Sequence, residues 1–176
     1  MSGTFTEDQV ITATVTDADN DGTDDTYSYQ WASSSDLSSW SNIGTASTYT
    51  LTQSEVGKYI RVSVSYTDDD GTVESHTDTH VVAVGNLNDA GTGLSLISDG
   101  TVSDPDQGDT LSVSGTLADD DGCTGNTCAL AYVWNRDGSA IGGETSSSYT
   151  LVEADVGKII SVVMTYTDDL SSSNTY

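Results

Sequence analysis

One passage of this chain is written twice, 100 residues apart. Ser47-Thr48-Tyr49-Thr50-Leu51, Glu55-Val56-Gly57-Lys58, Ile60, Val62 and Tyr66-Thr67-Asp68-Asp69 recur as Ser147-Ser148-Tyr149-Thr150-Leu151, Asp155-Val156-Gly157-Lys158, Ile160, Val162 and Tyr166-Thr167-Asp168-Asp169. Tyr29-Gln30-Trp31 returns as Tyr132-Val133-Trp134, and Asp19-Asn20-Asp21-Gly22 as Asp119-Asp120-Asp121-Gly122. Self-similarity at a fixed period marks an array of like units. A chain of 176 residues holds two such units, each large enough to fold alone. Arrays supply length, spacing or a repeated binding face, and rarely one active site.

The local pattern specifies strands. Ile11, Ala13 and Val15 alternate with Thr12, Thr14 and Thr16; Tyr27, Tyr29 and Trp31 alternate with Ser28 and Gln30. Tyr49 and Leu51 alternate with Thr48 and Thr50; Ile60, Val62, Val64 and Tyr66 alternate with Arg61, Ser63 and Ser65. Period 2 in Thr, Val, Tyr and Ile means half-buried antiparallel strands. Asp/Gly/Ser clusters separate them, and no segment carries a helical period. The expectation is all-β: two tandem antiparallel β-sandwiches. Trp31 and Trp134 are the expected core pins, and Trp40, without a counterpart, is expected at the edge of the first domain. The expected division is 1–85, a linker over 86–93, and 94–176. Tyr176 aligns with His76, so the final strand of the second copy is expected to be missing, which leaves open either a boundary out of phase with the repeat or a strand donated by a neighbour.

Charge narrows the partners. Four basic residues face 28 acidic ones, a net charge of -24. Such a surface repels nucleic acid and anionic lipid and attracts divalent cations. No apolar run is long enough to cross a membrane as a helix. Met1-Ser2-Gly3-Thr4 has neither the basic nor the apolar region of a signal peptide. Ser, Thr, Asp and Gly abundance with only two lysines fits an extracellular bacterial setting. Cys123 and Cys128 lie where the second copy is longer between its Gly and its Trp, and a local disulfide stapling that loop is expected.

The acidic loops are the chemical candidates. Asp17-Ala18-Asp19-Asn20-Asp21-Gly22 places carboxylates at i, i+2 and i+4 before a turning glycine, the opening of an EF-hand loop. Its twelfth position is Ser28, not Glu, so a closing ligand must come from elsewhere, such as Asp24 or Asp25. The second copy keeps Asp119 and Asp121 but has Leu117 in place of Asp17, and is expected to bind differently. Asp68 and Asp70, in the turn after the Tyr66 strand, are expected at the opposite pole from the Asp19 loop. Asn86, Asn88 and Asp89, with Asp104, Asp106 or Asp109, are expected to form an interdomain calcium site. The alternative is that all these runs are solvated turns, since Asp and Gly form turns without any metal.

These residues also resemble a known family. Ser-x-Tyr-Thr-Leu-x-x-x-Asp/Glu-Val-Gly-Lys-x-Ile-x-Val followed by Tyr-Thr-Asp-Asp, and Leu117-Ala118-Asp119-Asp120-Asp121-Gly122 followed by Ala131-Tyr132-Val133-Trp134, resemble the immunoglobulin-like tandem repeats of large bacterial RTX-type surface adhesins. Gly85-Asn86-Leu87-Asn88-Asp89-Ala90 resembles the Asn-x-Asn-Asp junction of such repeats and of cadherin-like arrays, with Gly91 where proline is usual. The resemblance implies immunoglobulin-like folds and an extracellular, cell-surface extender rigidified by calcium, whose partners are neighbouring repeats of the same fibre.

No catalytic constellation stands out. His76 and His80 share a strand face but have no counterparts in the second copy. No Gly-x-Ser-x-Gly elbow and no phosphate-binding loop is present. Lys58 and Lys158 sit at matching positions, read as strand-start surface residues. The leading expectation is a non-enzymatic structural module of a bacterial adhesin or surface fibre. Two alternatives stay open: a filament subunit polymerising by strand donation, and a calcium-dependent carbohydrate- or protein-binding module.

Overall fold

The structure is a computed structural model that describes residues 1–16, 26–68, 71–98, 105–123 and 128–176. The chain forms two compact units, Met1–Leu87 and Asn88–Tyr176. The expected linker is divided between them: Asn86 and Leu87 stay with the first unit, and Asn88 onward belongs to the second.

In the first unit the strands are β1 (Val10–Thr12), β2 (Ser28–Ser34), β3 (Ser41–Gly44), β4 (Thr48–Thr50), β5 (Tyr59–Thr67) and β6 (Val73–His80). β1 pairs with β4, and the other sheet runs β3-β2-β5-β6, every pairing antiparallel. The alternation that predicts β5 is the alternation it adopts, with Ile60, Val62 and Val64 buried and Arg61 and Ser63 part-exposed between them. Ile11, Ala13 and Leu51 from the small sheet's side meet Trp31, Ile60, Val62 and Val64 from the large one in a single core. This is a β-sandwich in the sense that two sheets bury their facing sides against each other. After β6 the chain continues along the sandwich edge: Val84 bridges Val56 in parallel, and Gly85 bridges Thr6.

The second unit repeats the plan with β7 (Thr92–Ser98), β8 (Thr110–Ala118), β9 (Ala131–Arg136), β10 (Ser139–Ala140), β11 (Ser148–Thr150), β12 (Ile160–Thr167) and β13 (Ser173–Thr175). Its sheets are β11-β8-β7 and β10-β9-β12-β13, again antiparallel. Leu94, Leu117, Met164 and Tyr166 form one core cluster, and Leu111, Trp134, Tyr149 and Leu151 another. Both Trp31 and Trp134 are fully buried. Each indole N–H donates to a carbonyl at matching places, Ala46 O and Ser146 O, at 2.8 Å. A buried Trp needs such a partner, because an unsatisfied N–H in the core costs about 1–3 kcal/mol. Trp40 is half-buried, with the Arg61 guanidinium 4.3 Å above its ring.

The acid that precedes Val-Gly-Lys in both copies has a structural task. Glu55 and Asp155 are buried at one-turn 3-10 helices. Asp155 accepts from Tyr149 Oη at 2.8 Å and Val152 N at 2.8 Å, and pairs with Arg136. In the first unit, burial and then the Glu55 charge push the Tyr49 hydroxyl up to about 12.

One expectation about polarity of the sandwich is overturned. In the second unit, β8 ends at Ala118 and β12 at Thr167, and the acidic residues that follow them come together at one pole. In the first unit, Val15 and Thr16 beyond β1 line a cavity with Val64 and Tyr66 near the end of β5, so those ends also share a pole. The sequence reading counts four strands from Ile11 to Tyr66, which sets the two loops at opposite poles. The short β3 and β10 add a fifth, and one added strand reverses the direction of everything after it.

Candidate metal centre

The alternation of β12 continues past its end. Met164, Tyr166 and Asp168 are all buried, with exposed residues between them. A carboxylate therefore falls on the core side, where an unpaired charge is costly. It is not alone. Asp119, Asp121 and Asp168 are 5%, 2% and 4% exposed, and each offers a carboxylate oxygen within 4.8 Å of the others.

Local chemistry fixes all three. Asp119 opens a tight turn: its Oδ1 accepts from Asp121 N at 3.0 Å, and its carbonyl accepts from Gly122 N at 3.2 Å. Gly122 sits at φ +121°, and a Cβ there would lie 2.6 Å from Asp169, so the turn needs glycine both for its backbone and for its packing. Asp168 closes the β12–β13 turn, accepting from Ser172 N at 2.9 Å and from Asn174 Nδ2 at 2.9 Å. Tyr166 Oη donates to Asp119 Oδ2 at 2.5 Å. Burial, reinforced by the Asp119 carboxylate, pushes that hydroxyl up to about 12. Asp89 N donates to Asp121 Oδ2 at 2.8 Å, and Asn88 Nδ2 to Asn174 Oδ1 at 2.8 Å, so the segment leading into the second unit is tied directly to the cluster.

The ion pairs formed by the described residues take Asp78, Asp137 and Asp155. Asp119 and Asp168 are in none of them. The donors around them are backbone amides, a tyrosine and an asparagine. A carboxylate oxygen carries two lone pairs, so a single hydrogen bond orients it without exhausting it. A set of hard oxygen donors with no nitrogen or sulfur suits a calcium- or magnesium-type cation. Asp119, Asp121 and Asp168 are the residues that could hold such a cation.

The other sequence candidates are dispersed. Asp17, Asp19, Asp21, Asp70 and Asp104 lie outside the described residues. Asp68 holds its own hairpin, accepting from Thr72 N at 2.7 Å, as Asp168 does in the second copy. Asn86 stays with the first unit, its side-chain oxygen buried without a hydrogen-bond partner among the described residues. Asp106 N donates to Asp109 Oδ2 in a turn that precedes β8, whereas Asp121 follows it. The structure thus joins Asn88 and Asp89 to the Asp121 end of β8 and sets Asp106 and Asp109 at the start of that strand. Cys123 and Cys128 are joined by a disulfide, with Cα atoms 5.1 Å apart, directly after the Asp121 turn. Asp168, Tyr166 and Asn174 are missing from the sequence-derived ligand set. The signal for Asp168 was present, as an acid in phase with the buried face of a strand.

No protein-family model and no curated protein sequence matches the chain.

Proposed function

We propose that this protein is an extracellular structural module of a bacterial adhesin or surface fibre, a spacer whose second unit is consolidated by calcium held by Asp119, Asp121 and Asp168. One observation carries the cation reading: three carboxylates buried within 4.8 Å of one another at a turn that also holds the chain leading into the unit. Clustered buried anions favour any state that supplies a counter-charge. Calcium there offsets two of the cluster's three negative charges and, through the Asp89–Asp121 bond, fixes the segment between Asn88 and β7. A spacer gains stiffness when the segment joining its units loses freedom. The tandem repeat and the resemblance to adhesin repeats support the spacer role, and the charge of -24 fits a chain that works where divalent cations abound.

Isothermal titration of chelator-treated protein with calcium tests the reading. The expected result is binding that Asp119→Asn and Asp168→Asn each weaken at least tenfold. Heat of binding unchanged in both variants places the ion elsewhere and removes the support.

A further inference from the structure

The second copy carries a covalent feature that the first lacks. Thr23 stands where the second copy has Cys123, and the first copy has no cysteine. The Cys123–Cys128 bond falls beside the carboxylate cluster, and Cys123 meets both turns that build it. It follows Asp121 by two residues. Its Sγ lies 3.7 Å from the carbonyl oxygen of Thr167, the residue before Asp168. Its side chain is fully buried among Leu94, Leu117, Met164 and Tyr166, and Tyr166 is the donor to Asp119.

The backbone at this turn does not hold itself. Gly122 and Cys123 take φ +121° and +68° in succession. A residue with a side chain rarely enters the left-handed region, and it stays there where its surroundings impose it. The acids act the other way. Asp119, Asp121 and Asp168 bring like charges within 4.8 Å of one another, and their repulsion favours any opening of the turn. A bond from Cys123 to Cys128 resists that opening without adding charge.

We infer that oxidation of Cys123 and Cys128 arms the carboxylate cluster for its cation. The inference rests on the cation reading of that cluster. The chemistry is exchange with a small disulfide: the bond between the two Sγ atoms forms, the S–S bond of the reagent breaks, and two electrons and two protons pass to the reagent, which leaves as two thiols. Cys128 is half-buried and is the sulfur that a reagent reaches, whereas Cys123 is enclosed. In the oxidised chain the two turns are held in the arrangement that binds. In the dithiol chain that arrangement is one of several, and the apparent affinity falls by the fraction of molecules that keep it. The site is therefore weak in a reducing compartment and strong in an oxidising one, where disulfides persist. Coupling of this kind is reciprocal. A cation held about tenfold more tightly by the oxidised chain lowers the reduction midpoint of the disulfide by about 30 mV when the cation is saturating.

The test uses the whole chain, oxidised with glutathione disulfide or reduced with dithiothreitol, and titrates each form with calcium by calorimetry. The oxidised chain is expected to bind, and the reduced chain to bind about tenfold more weakly or worse. The chain with Cys123→Ala and Cys128→Ala together is expected to match the reduced chain and to ignore dithiothreitol. Amide exchange locates the effect. Asp121 and Gly122, whose N–H groups close the turn onto Asp119, are expected to exchange faster on reduction. Val133 and Val163, paired across β9 and β12, are expected to stay protected. Equal calcium affinity in the two redox states overturns the inference and leaves the cation reading standing. Loss of protection at Val133 and Val163 on reduction also overturns it, because the bond then holds the whole unit rather than the turn. An oxidised chain that binds no calcium overturns the cation reading, and the inference falls with it.

Discussion

Replacing Asp121 by asparagine removes one of three negative charges whose oxygens lie within 4.8 Å of one another. The bond from Asp89 N to Asp121 Oδ2 survives, since the asparagine carbonyl oxygen accepts it equally well. What changes is repulsion. Unit charges at 4.8 Å repel by about 3.5 kcal/mol at an effective dielectric near 20, and Asp121 faces two of them. Structural relaxation and bound counter-ions already absorb much of this. The expected net gain is about 2 kcal/mol, within the usual span of single-substitution effects. For a domain of this size that raises the melting temperature by about 8–16 °C. In calcium the relation changes. Ligand at about a hundredfold excess over its dissociation constant stabilises the parent by about 2.7 kcal/mol, and the variant, with one anionic ligand fewer, gains less. Differential scanning calorimetry reads both effects, with the transition of the first unit as internal reference. The variant is expected to melt above the parent in chelator, and the gap is expected to narrow as calcium is added. A variant that melts below the parent in chelator, or that shifts as far as the parent with calcium, would falsify the electrostatic account.

Gly91→Ala sets a Cβ 2.0 Å from Tyr166 Oη, so the hydroxyl must leave Asp119; a loss of about 1–3 kcal/mol in the second unit is expected by thermal melting, together with weaker calcium binding. Asp155 is held below its ordinary value of 3.8: burial acts to raise it, but Val152 N–H, Arg136 and Tyr149 outweigh that effect. Its contribution is therefore complete above pH 3.8 and lost as pH falls through the lower folded value; Asp155→Asn is expected to flatten the acid limb of the second unit's stability curve while leaving the first unit's unchanged. Replacing Cys123 and Cys128 together by alanine opens a loop of sequence separation 5. Loop-closure entropy sets the loss at about 2 kcal/mol, readable as a lower denaturant midpoint for the second unit alone.

Much of the fold was legible in the residues. The duplication gave two units, and the alternation of Ile60, Val62 and Val64 against Arg61 and Ser63 gave the buried face of β5 without any knowledge of its neighbours. The paired tryptophans were readable as core because an indole in phase with tyrosines on one strand face has few other places to go. The cation candidates were readable by composition but not by position. Asp119 and Asp121 were recognisable as a turn, whereas Asp168 entered the site through a strand count that the brief β3 and β10 altered; strands of four and two residues carry too little periodicity to be seen.

Side-chain alternation is a property of the backbone itself, so the chain alone dictates which residues of a strand look inward. Which strand ends meet, and what lies across an edge, depends on partners far along the chain. Nothing in Val56-Gly57-Lys58 itself announces Val84, whose backbone bonds Gly57 and Lys58 from the far side of β6 in the chain. The carboxylate cluster arises in the same way, from two turns distant in the chain that only the stacking of two sheets brings within reach of a single ion.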